Sequence, residues 1–127
     1  MSNTFLKLPT GDIEIDHIRE VCIDLSFTRF EFIRWKPRPA LIEKNGKIIQ
    51  LYTGQKFDPN YFDLVEDGWL YDECEVCFMS IGEHQNQYKQ TEGYFNGGVW
   101  VCESCYKTLI AIDDLEKKLA ELPQYQK

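Results

Sequence analysis

Cys74-Glu75-Val76-Cys77 and Cys102-Glu103-Ser104-Cys105 decide how this chain is read. Two thiols three positions apart can reach one ion from a tight turn, and a second such pair completes a tetrahedral four-sulfur set. The 24 residues between the pairs are enough for a hairpin that brings them together. The expected cofactor is therefore a structural Zn2+ held by Cys74, Cys77, Cys102 and Cys105. A catalytic zinc fits poorly, because four protein ligands leave no position for water. A redox dithiol also fits poorly, since such a pair opens a helix within a βαβ unit and no second parallel strand follows Cys105. Five cysteines are an odd number, which a disulfide framework does not explain. His84 becomes a ligand only if one cysteine fails to reach. Cys22, between Val21 and Ile23, reads as a small buried hydrophobe, and His17 as an exposed side chain.

Outward from these pairs, Gly93-Tyr94-Phe95 and Val99-Trp100-Val101 flank Asn96-Gly97-Gly98 as a hairpin that delivers Cys102. Beyond Cys105, Tyr106, Leu109, Ile112, Leu115, Leu119 and Leu122 form one apolar stripe, which predicts a single terminal helix ended by Pro123. Asp113 with Lys117 and Asp114 with Lys118 are favourable i,i+4 pairs, and 123–127 reads as a frayed tail. Upstream of the first pair, Asp58-Pro59 has the form of an N-cap followed by proline, predicting a helical turn or two from Asn60 to Glu66.

In the first half, Phe5 to Leu8 is a strand stopped by Pro9-Thr10-Gly11. From Asp12 to Phe27 two periods compete: Ile15, Ile18, Cys22 and Leu25 share a helical face, but frequent β-branched residues favour a strand. Arg29 to Trp35 reads as a strand, interrupted by Lys36-Pro37-Arg38-Pro39. Asn45-Gly46 predicts a two-residue type I′ turn that pairs Ile42 with Ile49 and Ala40 with Leu51.

The order knuckle, hairpin, then a second pair opening the terminal helix resembles the treble-clef zinc fingers over roughly residues 70–122. Cys74 and Cys77 correspond to the knuckle pair, and Cys102 and Cys105 to the helix pair. Phe78 departs from that pattern, standing where a glycine is common. The stretch from Gly68-Trp69 through Cys105 also resembles an uncharacterised family of small bacterial proteins, which implies no function. The expected fold class is α+β. An antiparallel β region over 1–57 packs with a zinc-binding module over 58–127 that ends in one amphipathic helix, the two forming one compact domain.

Among 127 residues, 43% hydrophobic and 14% aromatic content supplies ample core for one domain and argues against disorder. No apolar run is long enough for a membrane span, and Met1-Ser2-Asn3-Thr4-Phe5-Leu6 lacks the form of a signal peptide. A cytoplasmic, reducing setting is expected, where thiols favour metal over disulfides. The formal charge of −7 is concentrated: residues 57–88 carry eight acids and no Lys or Arg. A four-thiolate zinc adds net negative charge to that field. Such a surface repels phosphate backbones and steers toward basic partners. No phosphate loop, Ser/His/Asp order or His-Glu-x-x-His motif occurs, so neither catalysis nor a small-molecule substrate is expected.

The expected function is thus a non-catalytic, zinc-stabilised protein-interaction module, with Asp67, Asp72, Glu73 and Glu75 facing a basic protein partner. One version is an inhibitor or immunity-type protein covering a basic enzyme. The alternative is a nucleic-acid-binding regulator that uses the basic and aromatic stretch Arg29-Phe30-Glu31-Phe32-Ile33-Arg34-Trp35-Lys36-Pro37-Arg38 for stacking and phosphate contact. An amphipathic strand with snorkelling arginines explains the same pattern without function.

Overall fold

Three three-stranded antiparallel sheets and one two-stranded pair make up the β structure of the computed structural model, which describes residues 4–88 and 90–126. Met1 to Asn3, and Lys127 of the expected tail, lie outside them. The class is α+β, as expected. The first hairpin joins β1 (Thr4–Leu8) to β2 (Gly11–Glu14), with Leu6 opposite Ile13. Helix α1 (Ile15–Leu25) follows without a break. The strand expected over most of Asp12–Phe27 is therefore confined to β2. Period 3.6 prevails because Ile15, Ile18 and Cys22 bury one face together, while Ile23 faces solvent.

β3 (Glu31–Arg34) lies beside β9 (Glu92–Phe95), which pairs in turn with β10 (Trp100–Val101). The predicted hairpin before Cys102 is thus present. A third sheet has the order β5 (Ile49–Leu51), β4 (Arg38–Glu43), β6 (Phe62–Trp69). Its β4–β5 register is the predicted one, Ala40 opposite Leu51 and Ile42 opposite Ile49. The turn itself differs from type I′. Gly46 N–H donates to Glu43 O at 2.7 Å, and Gly46 has φ +77°. Asn45 stays at negative φ, so the connection is wider than the two-residue form. Pro39 sits inside β4, but at a register shift between Arg38 and Ala40, where a missing N–H does least harm.

The helix expected after Asp58 is replaced by β6. Asp58 does cap a turn, accepting Asn60 N–H on its side chain and Tyr61 N–H on its carbonyl. The chain then extends, because pairing with β4 places Leu64 beside Leu41 and Val65 beside Ala40. Gly68 is needed in that strand: a Cβ there would stand 3.0 Å from Val65 Cβ and 3.1 Å from Ala40 Cβ.

The terminal helix is broken rather than single. α2 (Glu103–Cys105) passes into a π-helical turn over Tyr106–Ile110, and α3 spans Leu115–Glu121. Asp114 does not serve an i,i+4 pair with Lys118; it caps α3, accepting Lys117 N–H at 3.1 Å. The tail is ordered through β11 (Gln124–Gln126), which adds to β1 with Tyr125 opposite Phe5. All three of these sheets combine strands from both sides of residue 57.

Among the described residues, fifteen buried ones form the main core, including all five cysteines, with Leu6, Ile18, Val101, Leu109 and Leu119. A smaller cluster holds Trp35, Ile81 and Trp100.

Candidate metal centre

β7 (Tyr71–Glu73) and β8 (Ser80–Gly82) pair antiparallel, and the turn between them carries Cys74 and Cys77. Cys74 N–H donates to Met79 O and Phe78 N–H to Cys74 O, both at 2.8 Å, which closes a knuckle. Phe78 takes the position where the chain must turn left, with φ +65°. Among the described residues it is the only non-glycine at positive φ. Such a conformation costs about 1–2 kcal/mol, and the side chain is braced from α1. The Phe78 ring meets His17 at 5.1 Å between centroids, and His17 Nε2 lies 3.1 Å from Glu75 O. His17 is half-buried for this reason, contrary to the exposed position expected.

The second pair arrives from β10. Glu75 N–H donates to Trp100 O at 2.9 Å, which docks the knuckle on the strand leading to Cys102. Cys102 stands at the N-cap of α2 and Cys105 ends its first turn. Free N–H groups at a helix start favour negative sulfur.

The four Sγ atoms of Cys74, Cys77, Cys102 and Cys105 lie within 4.8 Å of one another, all buried. Cys77 Sγ and Cys102 Sγ are 3.7 Å apart. A tetrahedron with metal–sulfur bonds of about 2.3 Å has edges near 3.8 Å, so the donors fit one ion such as zinc. The sulfurs also bear strongly on one another's charge. Hydrogen bonds from Cys102 and then Cys105 hold Cys74 and Cys77 below the usual thiol range, against burial. The Thr10 hydroxyl, buried without an oxygen or nitrogen partner, adds to the pull on Cys77. Hydrogen bonds to Cys102, Cys74 and Cys77 push Cys105 up. Cys102 is pushed up as well, so the sulfurs alone divide into two favoured thiolates and two thiols, and ionising all four in this buried site would take a cation.

The remaining candidates divide. Cys22 is buried, and desolvation followed by the Cys74 charge pushes its thiol up to about 12, so it packs as a neutral hydrophobe. His84 is exposed and outside the sulfur cluster. Asp67, Glu73 and Glu75 are exposed, and Asp72 is half-buried. Its carboxylate accepts Trp35 Nε1–H at 2.7 Å, Trp69 Nε1–H at 3.1 Å and the Arg38 guanidinium at 2.9 Å. Both oxygens are engaged internally, and the side chain is only 17% exposed. Reading the sequence missed this node, because two tryptophans and an arginine from distant segments meet there only after folding. In the 29–38 stretch, Trp35 is fully buried and Arg38 is bound to Asp72. Phe32, Tyr94, Tyr106 and Phe30 make a chain of ring contacts, with Tyr94 and Tyr106 stacked at 3.7 Å.

No family model, curated protein or solved structure matches the chain. No helix among the described residues is long and apolar enough to cross a membrane.

Proposed function

We propose that this chain is a non-catalytic protein-interaction module whose core is held by one structural zinc. The single observation behind this reading is the closed, buried set of four cysteine sulfurs within 4.8 Å. A four-sulfur set occupies every position of a tetrahedral ion and leaves none for substrate. The knuckle, hairpin and helix order also supports a treble-clef-like arrangement. Zinc in such modules supplies about 10–16 kcal/mol of apparent binding free energy at neutral pH, enough to hold a core this small.

The working surface in this reading is acidic. Residues 57–88 carry eight acids and no Lys or Arg, and Asp67, Glu73 and Glu75 are exposed. A basic protein is the partner such a field attracts, and an inhibitor or immunity-type role is its concrete form. The test is pull-down from the source cell with the triple change Asp67→Asn, Glu73→Gln and Glu75→Gln. Loss of the captured partner supports the acidic face, and unchanged capture removes it.

Nucleic-acid binding stands second. The Phe32–Tyr94–Tyr106–Phe30 ring chain and the exposed Arg29, Arg34 and Lys36 favour it. The burial of Trp35 and the pairing of Arg38 leave it fewer contacts. It predicts gel-shift binding that falls steeply with salt, and no shift at low salt eliminates it.

A further inference from the structure

Where the β5–β4–β6 sheet meets β7 there is a groove lined by Ile49, Gly68, Trp69, Leu70, Tyr71 and Glu73, with a volume of about 290 Å³. It lies outside the sulfur cluster. Ile49 is 52% exposed, Leu70 58% and Tyr71 43%, an unusual concentration of wet apolar side chains in one concavity. Gly68 lies in its wall, where an added Cβ would crowd Val65 and the buried Ala40. Ligand pockets for cofactor-sized molecules run to about 300–1,000 Å³ and are mostly enclosed. This one stands at the small end of that range and is open to solvent, which suits a side chain of a polypeptide.

Charge selects the kind of polypeptide. Glu73 is itself part of the lining, and Glu66 and Asp67 immediately precede Gly68. Two cations of the sheet, Arg38 and Lys44, are already neutralised by Asp72 and Asp63 at 2.9 and 3.0 Å. An apolar concavity with a carboxylate in its wall pairs with a large apolar side chain flanked by Lys or Arg. We infer that this groove is the seat of the partner: it takes an apolar anchor residue from a basic polypeptide segment, with Glu73 meeting the neighbouring cation. This rests on the interaction reading above and narrows its acidic face to one anchor site.

The probe is a synthetic peptide of about ten residues alternating lysine with leucine, compared with a lysine–serine peptide of equal charge, read by fluorescence anisotropy. The leucine peptide is expected to bind more tightly. Leu70→Ser and Ile49→Ser, both at exposed positions, are each expected to weaken it about tenfold, which is about 1.4 kcal/mol. Phe27→Ser, an exposed aromatic outside the lining, is expected to change nothing. Circular dichroism of each variant confirms an unchanged fold. Equal binding of both peptides, weakened only by Glu73→Gln, overturns the groove while the acidic-face reading stands. Absence of binding by either peptide contradicts both. A concentration-dependent dimer of the free protein, abolished by Leu70→Ser, also overturns the proposal, since the occupant is then a second copy.

Discussion

The sulfur-centred core and the β5–β4–β6 sheet are built on opposite terms. In the first, α1, the knuckle, β10 and the broken terminal helix bury their apolar residues around four cysteines. In the second, only Ala40 and Leu41 are buried in β4, while Ile48, Ile49, Leu64 and Val65 stay 39–52% exposed. One region closes its apolar surface over a candidate metal site. The other keeps apolar surface in water, sustained by hairpin pairing and by the Asp72 node that ties Arg38 to Trp35 and Trp69. Residues that hold the fold and residues available to a partner are therefore separate. That separation can be tested one step at a time.

The largest effect belongs to the core. Cys102→Ser is expected to lose the metal and the fold together, because a binding term of about 10–16 kcal/mol rivals the whole stability of a domain, about 5–15 kcal/mol. Far-ultraviolet circular dichroism checks this, and a native-like spectrum in the variant would break the comparison. Next comes a matched pair. Leu119→Ala, in the core, should cost about 2–5 kcal/mol, and Leu64→Ala, on the sheet, within about 0.5 kcal/mol. Urea unfolding of both shows whether the two regions differ as described.

Asp72→Ala sharpens the boundary between them. It strands two indole N–H groups and a guanidinium, with an expected cost of about 2–4 kcal/mol. Hydrogen exchange should show the loosening in β4 and β6 before it reaches α1. The smallest effect is at the α1–α3 contact, where Arg19 Nε and Glu116 Oε2 meet at 2.8 Å. The Arg19 hydrogen bond lowers the Glu116 pKa from its usual value of 4.5. This pair thus stabilises above that value, and its contribution is lost as pH falls through the lower folded value. Glu116→Gln should remove that part of the acid dependence and little else, since the side chains are 37% and 62% exposed and water screens the pair. An unchanged slope of stability below pH 4.5 in the variant would remove the pair from the account.

What could be read from residues alone followed from local chemistry. Cys-x-x-Cys pairs located the sulfur cluster, and Asn45-Gly46 located a hairpin whose register held although its turn type did not. α1 was misread because Val21 and Ile23 suggested β structure. Neither is among its buried residues, which follow the helical face of Ile15, Ile18 and Cys22. β6 was missed because Asp58-Pro59 begins a helix only when nothing better pairs the following chain, and β4 does. The apolar stripe from Tyr106 to Leu122 stays in phase across the break at Ala111, so only Asp114, a good N-cap, signalled a new start. β11 had almost no signal, because three residues become a strand only through β1. Long-range partners decided each of these cases.

The most direct test of the central claim is the metal content of the folded protein, read by native mass spectrometry alongside thiol alkylation. One zinc per chain is expected, with Cys74, Cys77, Cys102 and Cys105 protected until a strong chelator removes the metal and the fold. A folded, metal-free chain in which those four thiols react or pair as disulfides would contradict it.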